Sequence, residues 1–155
     1  MNSTREMLLE TARQRAAKTP MPYAGAVTPQ EAFSLLKNNS DVMLIDVRTR
    51  AERDWVGKPA IEVAQHAAVE WNQYPSGTPN PAFLTQLNQV ASTSQVLLFL
   101  CRSGVRSRHA ATLATANGYS NCFDILEGFE GDKDHAGHRK TLGGWCFAGL
   151  PWAGA

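Results

Sequence analysis

The chain reads as an α/β domain, a three-layer fold with a mainly parallel central sheet flanked by helices. Two observations predict this. Residues 42–45 and 96–100 are short, wholly apolar runs that stop at Asp46 and Cys101, the pattern of strands covered on both faces. Segments with helical periodicity alternate with such runs, as in parallel strands joined by helices. At 155 residues the length is that of one domain, enough to enclose a core without a metal or disulfide.

From the N-terminus, Ser3-Thr4-Arg5-Glu6 has the form of a capping box, and Leu8, Leu9, Ala12 and Ala16 recur at helical spacing, so a helix is expected to about Lys18. Pro20 and Pro22 end it. The organisation is therefore a helical extension over residues 1–22 and a domain over residues 23–155. Residues 23–27 form a connector with room for a short strand. Thr28-Pro29 then opens a helix, with threonine as the cap and proline at the first helical position, that buries Ala32, Leu35 and Leu36 and closes at Asn38-Asn39-Ser40. Beyond the first apolar strand the pattern predicts a short helix over 50–55, a weak strand over 63–69, a polar loop over 75–81 and a helix over 82–90. Behind Cys101 a helix turns Ala110, Leu113 and Ala114 to one side and stops at Asn117-Gly118. Residues 122–126 read as another strand and residues 128–144 as a long polar loop. Trp145, Phe147, Leu150 and Trp152 read as an apolar closing segment docked on the core, and Trp55 and Trp71 as packing residues.

Fifteen Lys and Arg against 14 Asp and Glu leave a formal charge of +1, so no bulk field points to nucleic acid or membrane. No run approaches the roughly 18 apolar residues of a membrane span. Charges at Arg5, Glu6, Glu10 and Arg13 interrupt any secretory core, and a cytoplasmic protein is expected. The three cysteines lack metal-type spacing, and Cys122 and Cys146 read as small core residues. Asp132, Asp134, His135 and His138 lie in a glycine-containing stretch and read as solvated, so neither metal nor cofactor is expected.

Cys101 stands apart, because it sits at the seam between a buried strand and a loop that leads into a helix. In open parallel sheets ligands bind beyond the carboxyl ends of the strands. The amides of residues 102–107 and the positive end of the following helix should face its sulfur and stabilise a thiolate, with Arg102 and Arg106 adding positive charge. The same groups form a bowl suited to an anion.

The element Cys101-Arg102-Ser103-Gly104-Val105-Arg106-Ser107 resembles the active-site loop of rhodanese-like sulfurtransferases. Leu44-Ile45-Asp46-Val47-Arg48 is similar to that family's strand with its Asp-Val-Arg ending, Leu126-Glu127-Gly128-Phe129 to the stretch after its last strand, and Trp145 with Gly149-Leu150-Pro151-Trp152 to its closing segment. The likeness spans about residues 28–152. Residues 64–71 depart from it, lacking the proline and glycine of the family's His-Ile-Pro-Gly-Ala-like segment. The resemblance implies Cys101 as the nucleophile, residues Arg102, Ser103, Gly104, Val105, Arg106 and Ser107 as the substrate cradle, and Asp46 with Arg48 as structural support. In the family's phosphatase members the arginine stands one position further from the cysteine, where this chain has Ser107, so the short loop resembles the sulfur-transferring type.

The implied reaction is sulfane sulfur transfer through a Cys101 persulfide, from a small anionic donor such as thiosulfate to cyanide, a thiol or a protein thiol. No positioned general base is expected, since the attacking sulfur is taken as already ionised. The other readings are a non-catalytic docking or regulatory module, a sulfur carrier in a protein relay, and a phosphatase or arsenate reductase on the same scaffold.

Overall fold

The computed structural model describes residues 3–154. Helix α1 (Ser3–Lys18) is followed by β1 (Gly25–Val27), α2 (Pro29–Asn38), β2 (Met43–Asp46), α3 (Arg50–Val56) and β3 (Lys58–Pro59). A 3₁₀ turn (Val63–Gln65) leads into β4 (His66–Ala68), then come α4 (Phe83–Val90), β5 (Leu97–Leu100), α5 (Val105–Ala116), β6 (Cys122–Ile125) and β7 (Trp152–Ala153). Five strands form one sheet in the order β1-β6-β5-β2-β4, every neighbouring pair parallel. The predicted α/β architecture is the one observed, and β3 with β7 adds a small antiparallel ribbon.

Strand alternation divides the interior into two cores. Met43, Ile45 and Val47 join Leu97, Phe99, Cys101 and Cys122 on one face, beneath α4 and α5, through Phe83, Leu87, Ala110 and Ala114. Val42, Leu44, Val96, Leu98, Leu100, Phe123 and Ile125 point the other way, against Leu9 and Ala12 of α1, Leu35 and Leu36 of α2, and Phe129 and Trp145. Cys101 therefore continues the parity of Leu97 and Phe99, which aims it at α5.

Local chemistry explains the helix starts. Thr28 and Thr49 each form a full capping box, with Glu31 and Glu52. The capping contact expected of Ser3 lies outside the described side chains. Helix α1 packs closely on β1, because a Cβ at Gly25 would lie 2.2 Å from the Ala12 carbonyl oxygen. Its Arg15 binds both the Ala26 carbonyl and the Glu31 carboxylate.

Three expectations change. The weak strand over 63–69 is a 3₁₀ turn followed by a three-residue strand, because the register with β2 takes in His66, Ala67 and Ala68 and leaves residues 63–65 unpaired to it. The closing segment docks only in part. Trp145 is fully buried and its indole N–H reaches the Pro151 carbonyl, whereas Phe147 is 56% exposed and Trp152 lies over Phe129 as part of the small ribbon. Trp55, read as a packing residue, is 74% exposed with its ring meeting Tyr74 edge-on, since α3 contributes no buried residue to either core. Among the described residues no helix is long and apolar enough to cross a membrane.

Candidate active site

Cys101 follows directly on β5, at the carboxyl edge of the sheet, and is almost wholly enclosed. Residues 101–104 fold tightly over its own sulfur. Gly104, in the left-handed region at φ 110°, is the residue before α5 and donates its N–H to Sγ at 3.0 Å. Of the loop amides expected to face the sulfur, this is the one at hydrogen-bond distance.

On its other side Sγ lies 3.3 Å from Ser107 Oγ, in the first turn of α5. The Ser107 hydroxyl is itself 2.5 Å from Asp124 Oδ1 on β6, and both residues are buried. Asp124 shares the parity of Cys122, so it points to the same face as Cys101, with α5 laid across both. Sequence reading missed Asp124 because it lies within the apolar run of β6. The available signal was an ionisable residue breaking that run at a position equivalent to the reactive face.

The loop is held from behind by the start of the stretch read as a long polar loop. Gly128, Phe129 and Glu130 open the stretch read as a polar loop, yet all are buried. Phe129 N–H bonds the Cys101 carbonyl, and the Glu130 and Gly131 amides bond that of Arg102. A Cβ at Gly128 would lie 2.5 Å from the Arg102 carbonyl oxygen, so this approach is open only to glycine. Residues 132–142 of the stretch are exposed or half-buried, and Asp134 there accepts from the amides of Ala136 and His138 to hold its own turn.

Both loop arginines have carboxylate partners. Arg102 Nε donates to Glu130 at 3.0 Å, leaving its two terminal nitrogens on a partly exposed side chain. Arg106 donates through both terminal nitrogens to Glu52, at 2.6 and 2.7 Å. That fork holds Glu52 down at about 2, against its desolvation, and raises Arg106, with smaller contributions to Arg106 from Cys101 and Asp46. The charge reaching the sulfur is therefore less than that of two free guanidiniums.

Asp46 and Arg48 sit at the end of β2 and are fully buried. Arg48 donates through Nε and Nη2 to the two Asp46 oxygens at 2.9 and 2.8 Å, and its guanidinium lies 4.4 Å from the Phe129 ring centre. His66 Nε2 is 3.1 Å from Asp46 Oδ2. The Arg48 pairing and His66 hold the Asp46 carboxyl far below the usual carboxylate range despite its burial. This cluster ties β2 to β4 and to the Phe129 segment behind the nucleophile loop.

Burial is the dominant influence on the other two thiols. It pushes Cys122 up to about 11 and raises Cys146, which disfavours the thiolate in both. Among the described residues no His, Cys, Asp and Glu are grouped as a metal would require.

The family profile described as the STR4 middle domain matches residues 24–155, leaving α1 outside the match. An uncharacterized protein of Rickettsia conorii is 35% identical over 123 residues, covering 79% of this chain and 91% of its own. The thiosulfate sulfurtransferase GlpE of Haemophilus influenzae is 26% identical over 134 residues, covering 84% of this chain and 95% of its own. Among solved structures, Rv0390 from M. tuberculosis superposes with a TM-score of 0.76 at 39% identity, over 86% of this chain and 99% of that one. The polysulfide-sulfur transferase homodimer of Wolinella succinogenes shares the fold at a TM-score of 0.60 and 18% identity, over 99% of this chain and 90% of that one.

Proposed function

The chain belongs to the rhodanese-like family, in the group of the STR4 middle domain, and from that premise we propose that it transfers sulfane sulfur through a persulfide on Cys101. The observation that carries this reading is the setting of one sulfur atom. Cys101 Sγ stands at the carboxyl end of a central parallel strand, with the Gly104 amide donating to it and the start of α5 behind it. Cys122 and Cys146, by contrast, have burial working against their thiolates.

The Cys101 thiolate attacks the outer sulfur of an anionic donor, a new S–S bond forms, and the old S–S bond breaks as sulfite leaves with its electron pair. Thiosulfate is the donor chosen for the test because the Haemophilus relative bears that name. Arg102, with terminal N–H groups beyond its Glu130 bond, receives the donor anion, while Arg106, fixed by Glu52, contributes positive potential without moving. Ser103, Gly104, Val105 and Ser107 complete the cradle. Cyanide, a small thiol or a protein thiol then removes the outer sulfur and regenerates the Cys101 thiolate.

Intact mass spectrometry after incubation with thiosulfate, without thiol, tests the reading. The expected product is heavier by one sulfur atom, loses that mass to cyanide, and does not form in Cys101→Ser. An unmodified mass in the wild-type chain would instead support a docking or regulatory module. An aryl phosphate should be left intact, and its hydrolysis would favour the phosphatase reading.

A further inference from the structure

The hydrogen-bonded chain from Cys101 Sγ through Ser107 Oγ to Asp124 Oδ1 contains three groups that can each carry a proton, and nothing in the sulfur-transfer scheme uses the third. Ser107 has one hydroxyl hydrogen, so it can donate in one direction only. When the Asp124 carboxyl is ionised it can only accept. Ser107 must then point its hydrogen at Oδ1 and can only accept from Sγ–H. When the carboxyl is protonated it donates to Ser107 Oγ, and the serine hydrogen turns to the sulfur, where it stabilises an anion.

We propose that Cys101, Ser107 and Asp124 hold their proton in common, with Asp124 as the positioning residue whose charge decides whether Ser107 donates to the sulfur or accepts from it. The transfer balances without an oxidant or a further reactant. The S–H bond breaks as Ser107 Oγ takes that proton, the original Ser107 O–H bond breaks as Asp124 Oδ1 takes the other, and a thiol with a carboxylate becomes a thiolate with a carboxylic acid. Each electron pair stays on the atom that loses its proton.

The surroundings of Asp124 support the coupling. It is 1% exposed, its one charged neighbour of note is Arg108 on α5, and the Tyr23 phenol faces it from the segment before β1. Its register partners, Phe99 on β5 and Ala26 on β1, do not titrate. Among the described residues no ion pair holds it, and burial pushes it up to about 7, so the carboxyl takes both forms near neutral pH. Its bearing on sulfur transfer rests on Cys101 being the nucleophile. With Asp124 protonated, Ser107 stabilises the attacking thiolate and the same thiolate when it leaves in the second half-reaction.

The test is the rate of Cys101 alkylation by iodoacetamide from pH 5 to 10, read on the Cys101 peptide by mass spectrometry in wild type, Asp124→Asn and Ser107→Ala. Coupled ionisations give wild type two rising steps separated by a plateau roughly one pH unit wide or more. Asp124→Asn should show one step, with its midpoint about one unit below the upper wild-type step, because the competing negative charge is gone. Ser107→Ala should narrow the plateau. A single wild-type step that superposes on that of Asp124→Asn would overturn the proposal. If Asp124→Asn does not fold, ¹³C titration of the Asp124 carboxyl decides, being biphasic in wild type and monophasic in Cys101→Ala, and two identical curves would overturn it. No sulfur donor is used, so this outcome is separable from persulfide formation.

Discussion

Asp46 ends β2 and Asp124 stands one residue before the end of β6, both buried on strands that flank β5 in one parallel sheet, and they have opposite chemistries. Asp46 is met by the Arg48 fork and by His66, and stays ionised far below the ordinary carboxylate range. Asp124 is met by a serine hydroxyl, and burial raises it to about 7. Burial by itself pushes a carboxyl upward, so the partner decides the outcome. A guanidinium turns a buried aspartate into a permanent charge that ties strands together, whereas a hydroxyl leaves it able to exchange protons. The second kind lies two hydrogen bonds from the sulfur.

The strongest way to break the comparison is to take away the partner of Asp46. Arg48→Met should cost about 3–5 kcal/mol, the penalty for leaving a buried charge without its counter-ion. That is a large share of a typical stability of about 5–15 kcal/mol, so urea denaturation at pH 7 should give a much lower midpoint or no folded baseline. A loss within the error of denaturation would mean that His66 alone satisfies the carboxylate.

The contrast can next be sharpened through pH. Between the ordinary aspartate value of 3.8 and about 7, the folded chain keeps a proton on Asp124 that the unfolded chain has released. Stability from this group is therefore present at low pH and lost as pH rises through 7, an effect on the order of a few kcal/mol. Asp46 and Glu52 have the reverse sign: their contributions are present above the ordinary carboxylate values and lost as pH falls towards their lowered ones. Unfolding free energies at pH 5 and pH 8 should differ less in Asp124→Asn than in wild type. An unchanged difference would place the carboxyl outside this window.

A smaller effect is expected at the half-buried pair between these extremes. Glu52→Gln removes the bidentate partner of Arg106 and should cost about 1 kcal/mol, reduced from a fully enclosed pair by solvent screening. It should also remove the part of acid destabilisation that Glu52 contributes between its ordinary 4.5 and about 2, measured by urea unfolding at pH 3 and 7. Least affected should be the surface pair of Arg5 with Asp41, where Arg5→Ala is expected to shift the urea midpoint by no more than about 0.5 kcal/mol equivalent.

Much of this fold could be read along the chain, for reasons visible at single residues. Thr28-Pro29 and the hydrophobic spacing of Ala32, Leu35 and Leu36 predict α2 because capping and helical periodicity act within four residues. The apolar run ending at Cys101 likewise marks β5 and the start of the nucleophile loop. The burial of the loop residues Gly128 to Glu130 is not legible along the chain, for the converse reason. Their polar composition is local, but their burial comes from amides reaching back to the Cys101 and Arg102 carbonyls.

By itself the sequence determined the α/β alternation and the seam at Cys101, because each depends on contacts within a few residues. Only the tertiary structure decided that Arg106 is held by Glu52, Arg102 by Glu130 and Ser107 by Asp124. These partners come from separate elements, and which of them meet depends on strand order and on which sheet face each side chain takes. The charge around the sulfur is therefore a property of the folded sheet as well as of the loop that carries it.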